Sequence, residues 1–262
     1  MSSTITDTTD LESVISALEE QPRQAEARLH EAQCDSPTPP SAPHPRLDKQ
    51  PTIPSTPSFN PATHFLLLLS DSALPLGSFA FSSGLESFLA HQHHPSTPLA
   101  TLFSPHFLPL SLSSYASTTL PFLLAAHRRP ALLVDLDDAL DAATICTVGR
   151  RASVAQGRAL LGIWEKSFLA PGTEVDDHGE VIRQFAHVLR TSKTEPPAVA
   201  CHLAPLLGAV CRAYGLGLEQ TAFVFMLNHV KALVSAAVRR GMFGPYQAQK
   251  ILAIRRGGHG YY

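Results

Sequence analysis

The sequence FLLLLSDSALPLGSFAFSSGLESFL, from Phe65 to Leu89, carries the strongest fold signal in this chain. It begins as an apolar, helix-like run, is interrupted by Ser-Asp-Ser, and resumes as a second amphipathic run. Between the two runs, Pro75 has a fixed φ and no N–H group, while Gly77 can adopt backbone angles closed to other residues. The pattern predicts two helices held at a set angle by a stiff apolar turn, residues 70–84, which we call the elbow.

The helix after the elbow carries its own start signals. Ser82 or Ser83 is the expected N-cap, and Glu86 falls in the first turn, where a carboxylate interacts favourably with the helix dipole. Two roles for Glu86 stay open from the sequence: it caps the helix, or it offers an exposed acidic contact to a partner.

Apolar residues beyond position 62 recur at three- and four-residue steps almost everywhere, as in amphipathic helices. Six prolines cut residues 90–130 into short helices. The spacing predicts longer helices at 137–169, 181–189, 196–214, 219–240 and 247–256. The sequence shows no sustained period-two alternation and neither of the hairpin dipeptides Asn-Gly and Asp-Gly. The sequence therefore predicts an all-α protein whose body is a single compact multi-helix bundle.

Two of these helices allow more detailed predictions. The helix at 137–169 should have an acidic N-terminus, formed by Asp135, Asp137 and Asp138. The helix at 219–240 should bury a stripe made of Phe223, Met226, Leu227, Val230, Val234 and Ala237. Gly241 follows at the position expected for its C-terminal cap.

The N-terminal segment has a different composition from the body. Residues 1–61 contain ten of the 22 prolines and, towards their end, mostly Pro, Ser and Thr. Such a segment buries too little apolar surface to offset its ordering entropy, so we expect a disordered tail. The predicted organisation is a tail at 1–61, a helical domain at 62–256 and a short C-terminal tail at 257–262.

Charge and cysteine content exclude several classes of protein. The tail holds nine acidic and four basic residues, which leaves 13 acidic and 16 basic residues for the body. That balance is too even to indicate nucleic-acid binding. We expect no signal segment and no membrane span, and the absence of Cys-x-x-Cys pairs favours reduced thiols in the cytoplasm. Three cysteines, Cys146, Cys201 and Cys211, are expected as buried thiols on apolar helix faces.

No catalytic motif emerges from the sequence. The chain lacks a phosphate-binding Gly-x-x-x-x-Gly-Lys-Ser/Thr loop, a Gly-x-Ser-x-Gly nucleophile motif and a His-Glu-x-x-His zinc motif. His91, His93 and His94 form the one local cluster of metal-ligand type, and imidazole suits nickel and zinc. Two interpretations stay open for this cluster: solvated loop histidines, or a weak nickel-contacting site.

The C-terminal part of the body carries charge of one sign. Residues 220–262 contain six Lys or Arg and no Asp or Glu. Cations at helix C-termini account for part of the pattern, and a surface that docks an acidic partner is the alternative.

The elbow and two later segments resemble the UreF family of urease accessory proteins. The first likeness rests on Ser72, Leu74, Pro75, Gly77, Phe79, Ser82, Gly84, Leu85 and Glu86. A second covers residues 142–161, and a third rests on Ser235, Ala236, Ala237, Val238, Arg239, Gly244, Gln249, Ile251 and Leu252. Pro245 departs from the Gln that is usual in bacterial members.

The resemblance implies a non-enzymatic, all-α, homodimeric chaperone. It implies that the protein bridges UreD (also called UreH) to the GTPase UreG, and that nickel passes transiently through the assembly to apo-urease without a stably bound cofactor. The candidate partner contacts are the matching positions Ser72, Leu74, Pro75, Gly77, Phe79, Ser82, Gly84, Glu86, Arg239, Gly244 and Gln249, together with Tyr246 of the same C-terminal segment. Two rival hypotheses stay open: a helical adaptor without a urease role, and a nickel-binding protein that uses the histidine cluster.

Overall fold

The computed structural model describes residues 60–92, 100–169, 176–192 and 199–253. The described residues form helices joined by short loops and contain no strand, which confirms the all-α prediction. The helices are α1 (Pro61–Ser70), α2 (Leu85–Gln92), α3 (Leu108–Thr118), α4 (Leu120–Arg128), α5 (Leu133–Ala143), α6 (Thr147–Ile163), α7 (Asp177–Thr191), α8 (Leu203–Ala213), α9 (Leu218–Arg239) and α10 (Pro245–Ala253). The predicted tails at 1–61 and 257–262 lie almost wholly outside the described residues, so they stay predictions.

Shorter helical pieces join some of these elements. Ser78–Ala80 and Pro130–Leu132 are 3₁₀ turns, and a helical turn at Ala100–Leu102 leads through a π-helical segment, Phe103–Phe107, into α3. A second π-helical segment, Trp164–Phe168, extends α6. Pro109 and Pro121 lie in the first turns of α3 and α4, the helical position at which proline is most common. Prolines therefore mark the starts of α3 and α4, whereas Pro105 lies inside the π-helical segment and helical backbone continues past it from Ala100 to Thr118.

Two of the predicted long helices are wrong in their bounds. The predicted helix at 137–169 is two helices, because the chain turns at residues 144–146 and Cys146 becomes the N-cap of α6. The predicted helix at 196–214 begins only at Leu203, because the backbone before it is held by a side chain from α5, as described below. The bounds of α9, in contrast, lie within one residue of the prediction, and Gly241 follows it with a φ of 72°.

The first and larger hydrophobic core lies among α1, α4, α5, α6, α7, α8 and the N-terminal half of α9. Its largest fully buried side chains include Trp164, Phe185, Leu69, Leu123, Leu133, Leu160, Ile182, Leu206 and Leu216. The helix α8 is buried almost throughout and packs along α4 and α6. A Cβ atom at Gly208 would lie 2.2 Å from the carbonyl oxygen of Leu123, so these backbones approach as closely as only glycine allows.

A second core lies among α2, the π-helical segment before α3, the C-terminal half of α9 and α10. Its buried members are Leu85, Leu89, Phe103, Phe107, Leu233, Val234, Ala236, Ala237, Met242, Ala248 and Ile251. The helix α9 is shared, because Val224 and Phe225 lie in the first core and Leu233 in the second.

The predicted buried stripe of α9 is only partly correct. Val234 and Ala237 are buried, but Phe223 is 66% exposed, and its neighbours Val224 and Phe225 are buried instead. The difference arises because α9 packs on α1, α3 and α4, and Phe225 stacks on Tyr115 of α3 at a centroid distance of 4.9 Å. Helical spacing gives the width of an apolar face, whereas the neighbouring helices decide which part of it is covered.

One helix among the described residues, α9, is long and apolar enough by length and composition alone to cross a membrane. Its side chains contribute to both hydrophobic cores, as those of a core helix do. The pattern therefore gives no evidence of a membrane protein.

Candidate protein-interaction surface

The helix α9 holds the end of α1 and the start of the elbow. Asn228 donates from Nδ2 to the carbonyl oxygen of Leu69 at 2.8 Å, and the Lys231 ammonium donates to the carbonyl oxygen of Ser70. These carbonyls belong to the last turn of α1, which has no intrahelical donors left for them. The Lys231 charge also lies at the negative end of the α1 dipole. The elbow is thus anchored to α9 where it begins.

The turn inside the elbow is tight. The Asp71 carboxylate accepts the backbone N–H of Ala73 at 2.9 Å, and the N–H of Leu76 donates to the carbonyl oxygen of Leu74 at 2.7 Å, across Pro75. Gly77 has a φ of 71°, in the left-handed region that favours glycine, although a Cβ there would meet no atom within 4 Å. Backbone conformation and not lack of space therefore requires Gly77, as the sequence predicts.

The predicted N-cap of the helix after the elbow is wrong. The helix α2 begins at Leu85, so Gly84, with a φ of 86°, directly precedes it instead of Ser82 or Ser83. Glu86 lies in the first turn as predicted, and its side chain is exposed.

A cleft separates the elbow from α9. Leu69, Leu76 and Phe79 line one wall, and Asn228, Ala232 and Ser235 line the other. The candidates Ser72 and Leu74 also line it, and Phe79 is 66% exposed at its edge. The remaining elbow candidates, Pro75, Gly84 and Glu86, are exposed, and Gly77 and Ser82 are half-buried.

The C-terminal candidates divide into two groups. Arg239 donates from Nη1 to Ser235 Oγ at 2.8 Å, which places its guanidinium beside the cleft. Tyr246 and Gln249 are exposed on α10 and are not among the residues that line the cleft. Gly244 precedes α10 with no left-handed φ and open space at its Cβ, so the structure gives no backbone requirement for glycine there.

The predicted histidine cluster is only partly described. His91 is exposed on α2, and its Nδ1 lies 2.7 Å from the carbonyl oxygen of Ser87. His93 and His94 lie outside the described residues. Within residues 60–92, 100–169, 176–192 and 199–253, no group of three or more His, Cys, Asp or Glu side chains could hold a metal ion.

Sequence reasoning missed a buried carboxylate that organises the first core. Asp137 is fully buried in α5 and does not lie at a helix N-terminus as predicted. Its Oδ2 accepts the backbone N–H groups of Ala200 at 2.7 Å and Cys201 at 2.9 Å, and its Oδ1 accepts that of His202 at 2.6 Å. The spacing with Leu133 and Leu140, which share the buried face of α5, was the signal for this role.

The hydrogen bonds of Asp137 to the backbone before α8, which we call the clamp, are extended by His202, the N-cap of α8. Its buried ring contacts Asp141 Oδ1 through Nε2 at 2.9 Å and Ser153 Oγ through Nδ1 at 3.0 Å. Arg150 forms an ion pair with Asp141. Desolvation raises the pKa of the Asp141 carboxyl, but hydrogen bonds from His202 and Arg150 outweigh it, so the pKa is lowered. These contacts tie α5, α6 and α8 together.

The cysteine predictions have mixed outcomes. Cys211 is buried in α8 as predicted, but Cys146 is exposed at the N-cap of α6. Cys201 is buried, yet it lies outside any helix with a φ of 73°, a strained conformation that the Asp137 hydrogen bonds hold in place. Burial raises the pKa of the Cys201 and Cys211 thiols to about 12.

Comparison with known proteins identifies the family. The family model described as UreF matches residues 105–254, more than half of the chain. This chain belongs to the UreF family. The matched region includes α9 and α10 and begins after the elbow, so the elbow likeness stands on its own residues.

Three relatives are similar to this UreF-family chain over most of its length. A Schizosaccharomyces pombe protein, described as an uncharacterized urease accessory protein UreF-like, is 38% identical over 73% of this chain and 77% of the relative. Urease accessory protein F of Oryza sativa subsp. indica is 34% identical over 69% of this chain and 64% of the relative. Urease accessory protein F of Arabidopsis thaliana is 30% identical over 69% of this chain and 69% of the relative. No solved structure gives a significant match. Membership implies a urease accessory role.

Proposed function

We propose that this UreF-family chain is a non-enzymatic scaffold for urease maturation, which bridges UreD (UreH) and the GTPase UreG. Nickel is cargo in this proposal: it passes through the assembly into apo-urease as UreG hydrolyses GTP, and no cofactor stays on the chain. Family membership is the observation that carries the proposal.

The geometry of the elbow supports a scaffold role. Recognition of another protein needs exposed apolar and aromatic side chains on a rigid support, with polar groups at the rim. Phe79 is such a side chain, and the turn that presents it is anchored by Asn228 and Lys231. The exposed carboxylate of Glu86 and guanidinium of Arg239 are rim groups that can set the orientation of a partner.

A homodimer is part of the same proposal, and α9 offers a face for it. Phe223 is 66% exposed, and Leu227 and Val230, which follow at helical spacing, are only half-buried. A symmetric pair of chains would cover this apolar face with its own copy. We expect light scattering to show a dimer for the parent chain and a shift to monomer for Phe223→Asp, while Phe79→Asp leaves the dimer intact.

The proposed location is the cytoplasm, where exposed Cys146 would stay reduced.

Complementation tests the function directly. A host that lacks its own UreF should regain urease activity when it expresses this chain and should regain none with the empty vector. Tagged chain should also retain UreG and UreD homologues during purification. Glu86→Ala should reduce activation without changing helical content, and Asp138→Ala, an exposed carboxylate on α5, is the matched control. A chain that folds but neither activates urease nor retains these partners would refute the proposal.

A further inference from the structure

The cleft between the elbow and α9 combines an apolar floor with cations along one rim. Leu69, Leu76 and Ala232 form apolar lining, and Phe79 stands 66% exposed at the edge. Lys231 and Ser235 occupy successive turns of α9 along the other wall, and Arg239 follows one turn later. The spacing of four residues places all three on one face of the helix.

The charge on this side is of one sign. Between Gln220 and Ala253 the described residues include Lys231, Arg239, Arg240 and Lys250 and no carboxylate. The Lys231 ammonium already donates a hydrogen bond to the carbonyl oxygen of Ser70. Arg239, in contrast, is exposed, and of its guanidinium nitrogens Nη1 donates to Ser235 Oγ. The guanidinium is therefore the cation that is best placed to meet an incoming group. The opposite wall holds one carboxylate, Asp71, which accepts the N–H of Ala73.

We infer that this cleft binds an acidic segment of a partner protein, with an apolar side chain between Leu76 and Phe79 and a carboxylate on Arg239. The inference rests on the proposed scaffold function and specifies the chemistry of one docking surface within it. Charge complementarity identifies the occupant: guanidinium pairs with carboxylate through two parallel hydrogen bonds, and the carboxylate-free helix face steers an acidic segment and repels a basic one. The apolar floor adds burial for the adjoining side chain.

Crosslinking from the cleft edge locates the occupant. The complete chain, with Phe79 replaced by p-benzoylphenylalanine, is expressed in a host that carries urease and its other accessory proteins, and is then irradiated. We expect the crosslinked peptide to come from a partner protein and to contain Asp or Glu next to an apolar residue. A crosslink to a second copy of this chain, a crosslink to a segment without carboxylates, or no crosslink in an assembled complex would each overturn the inference.

Charge reversal tests the role of Arg239 in the same complex. Binding of the purified, crosslink-identified partner should weaken about tenfold for Arg239→Glu, and Arg239→Lys should retain part of the affinity. Arg151→Glu, which reverses an exposed cation on α6, is the matched control and should bind like the parent. Replacing the crosslinked partner carboxylate by Lys should restore binding to Arg239→Glu. Equal binding by the Arg239→Glu and Arg151→Glu chains would overturn the inference.

The two proposals fail in different ways. If the parent chain does not activate urease, the scaffold function is wrong. If the parent chain activates urease and Arg239→Glu does so equally, with unchanged partner affinity, the scaffold function stands and the acidic-segment inference alone is wrong.

Discussion

Asp137 accepts the backbone N–H of His202 at 2.6 Å, although 65 residues separate them in the chain. Together with the bonds to Ala200 and Cys201, this contact fixes the backbone that leads into α8. A buried carboxylate is stable here because it accepts three hydrogen bonds from backbone N–H groups. The hydrogen bonds of Asp137 thus fix the backbone conformation that leads into α8, the most buried helix of the domain.

Replacing the carboxylate tests how much this clamp contributes. Asp137→Asn places an amide NH₂ group against backbone donors, and we expect the free energy of unfolding to fall by about 2–4 kcal/mol. Chemical denaturation followed by circular dichroism measures it. Asp138→Asn changes an exposed neighbour on the same helix and should leave the stability within about 0.5 kcal/mol of the parent. Equal midpoints for the two variants would show that the clamp is not stabilising.

Glycine substitutions test the contact between α8 and α4. A Cβ at Gly208 would lie 2.2 Å from the Leu123 carbonyl oxygen, so Gly208→Ala must push backbones apart and should cost about 2–3 kcal/mol. Gly162→Ala is the matched control in α6, because its Cβ would meet no atom within 4 Å. Higher helix propensity should make that variant more stable by about 0.5–1 kcal/mol. The opposite signs can be read from thermal unfolding, and a stabilised Gly208→Ala would contradict the structure.

Backbone conformation in the elbow can be tested in a similar pair. Gly77→Ala places a Cβ on a residue with a φ of 71° and should destabilise the domain by about 1 kcal/mol. Gly244→Ala, with no left-handed φ and open space at the Cβ, should cost less than that. Thermal denaturation of both variants provides the measurement, and a cost at Gly244 as large as that at Gly77 would count against a conformational role for Gly77.

Stability should decline in mild acid because of His229. The imidazole ring of His229 is stacked on Tyr115 at a centroid distance of 3.9 Å, and its Nε2 lies 3.0 Å from Ser111 Oγ. Burial lowers the pKa of His229 from 6.5 to about 4. Between these pH values the unfolded chain binds a proton that the folded chain does not. The contribution of His229 is therefore complete above pH 6.5 and is lost as the pH falls towards 4.

The size of that decline can be measured with a variant. Between about pH 7 and pH 5 the loss should be about 2 kcal/mol for the parent chain, and His229→Gln should remove that part of the pH dependence. His91→Gln, which changes an exposed histidine on α2, should keep the parental pH dependence. Identical pH profiles for the parent and His229→Gln would contradict the assignment.

Thiol reactivity should separate the described cysteines. In a Cys34→Ser background, a disulfide reagent should modify Cys146 rapidly in the folded protein, because this thiol is exposed. Burial protects Cys201 and Cys211 and raises the pKa of each to about 12, so they should react only after unfolding. Counting modified thiols by mass spectrometry before and after adding denaturant checks this. Rapid labelling of Cys211 in the native state would be incompatible with the structure.

The local features of the fold were predictable from the sequence. Pro75 and Gly77 restrict their own backbone, so the elbow could be predicted without knowledge of any neighbour. The bounds of α9 follow from Gly217 and Gly241, which flank it. The place of Glu86 in the first turn of α2 was also predicted from local sequence, whereas its exposure was one of two interpretations that the sequence left open.

Features that depend on packing were not predictable. The break before Cys146 interrupts a pattern that reads as one continuous helix, because the position of the turn depends on how α5 and α6 pack. The exposure of Phe223 depends on which helices cover α9. In the candidate surface, the contact between Arg239 and Ser235 follows from helical spacing, but the cleft beside it depends on how α1 and the elbow approach α9.

The sharing of α9 between the two cores has a mechanical consequence. Val224 and Phe225 belong to one core and Leu233 and Val234 to the other, on a single uninterrupted helix of 22 residues. Neither core can unfold by itself without disrupting α9, which also supports the other core. Heat should therefore unfold both cores in one calorimetric peak, and a protein bound in the cleft between the elbow and α9 should slow amide exchange in both cores.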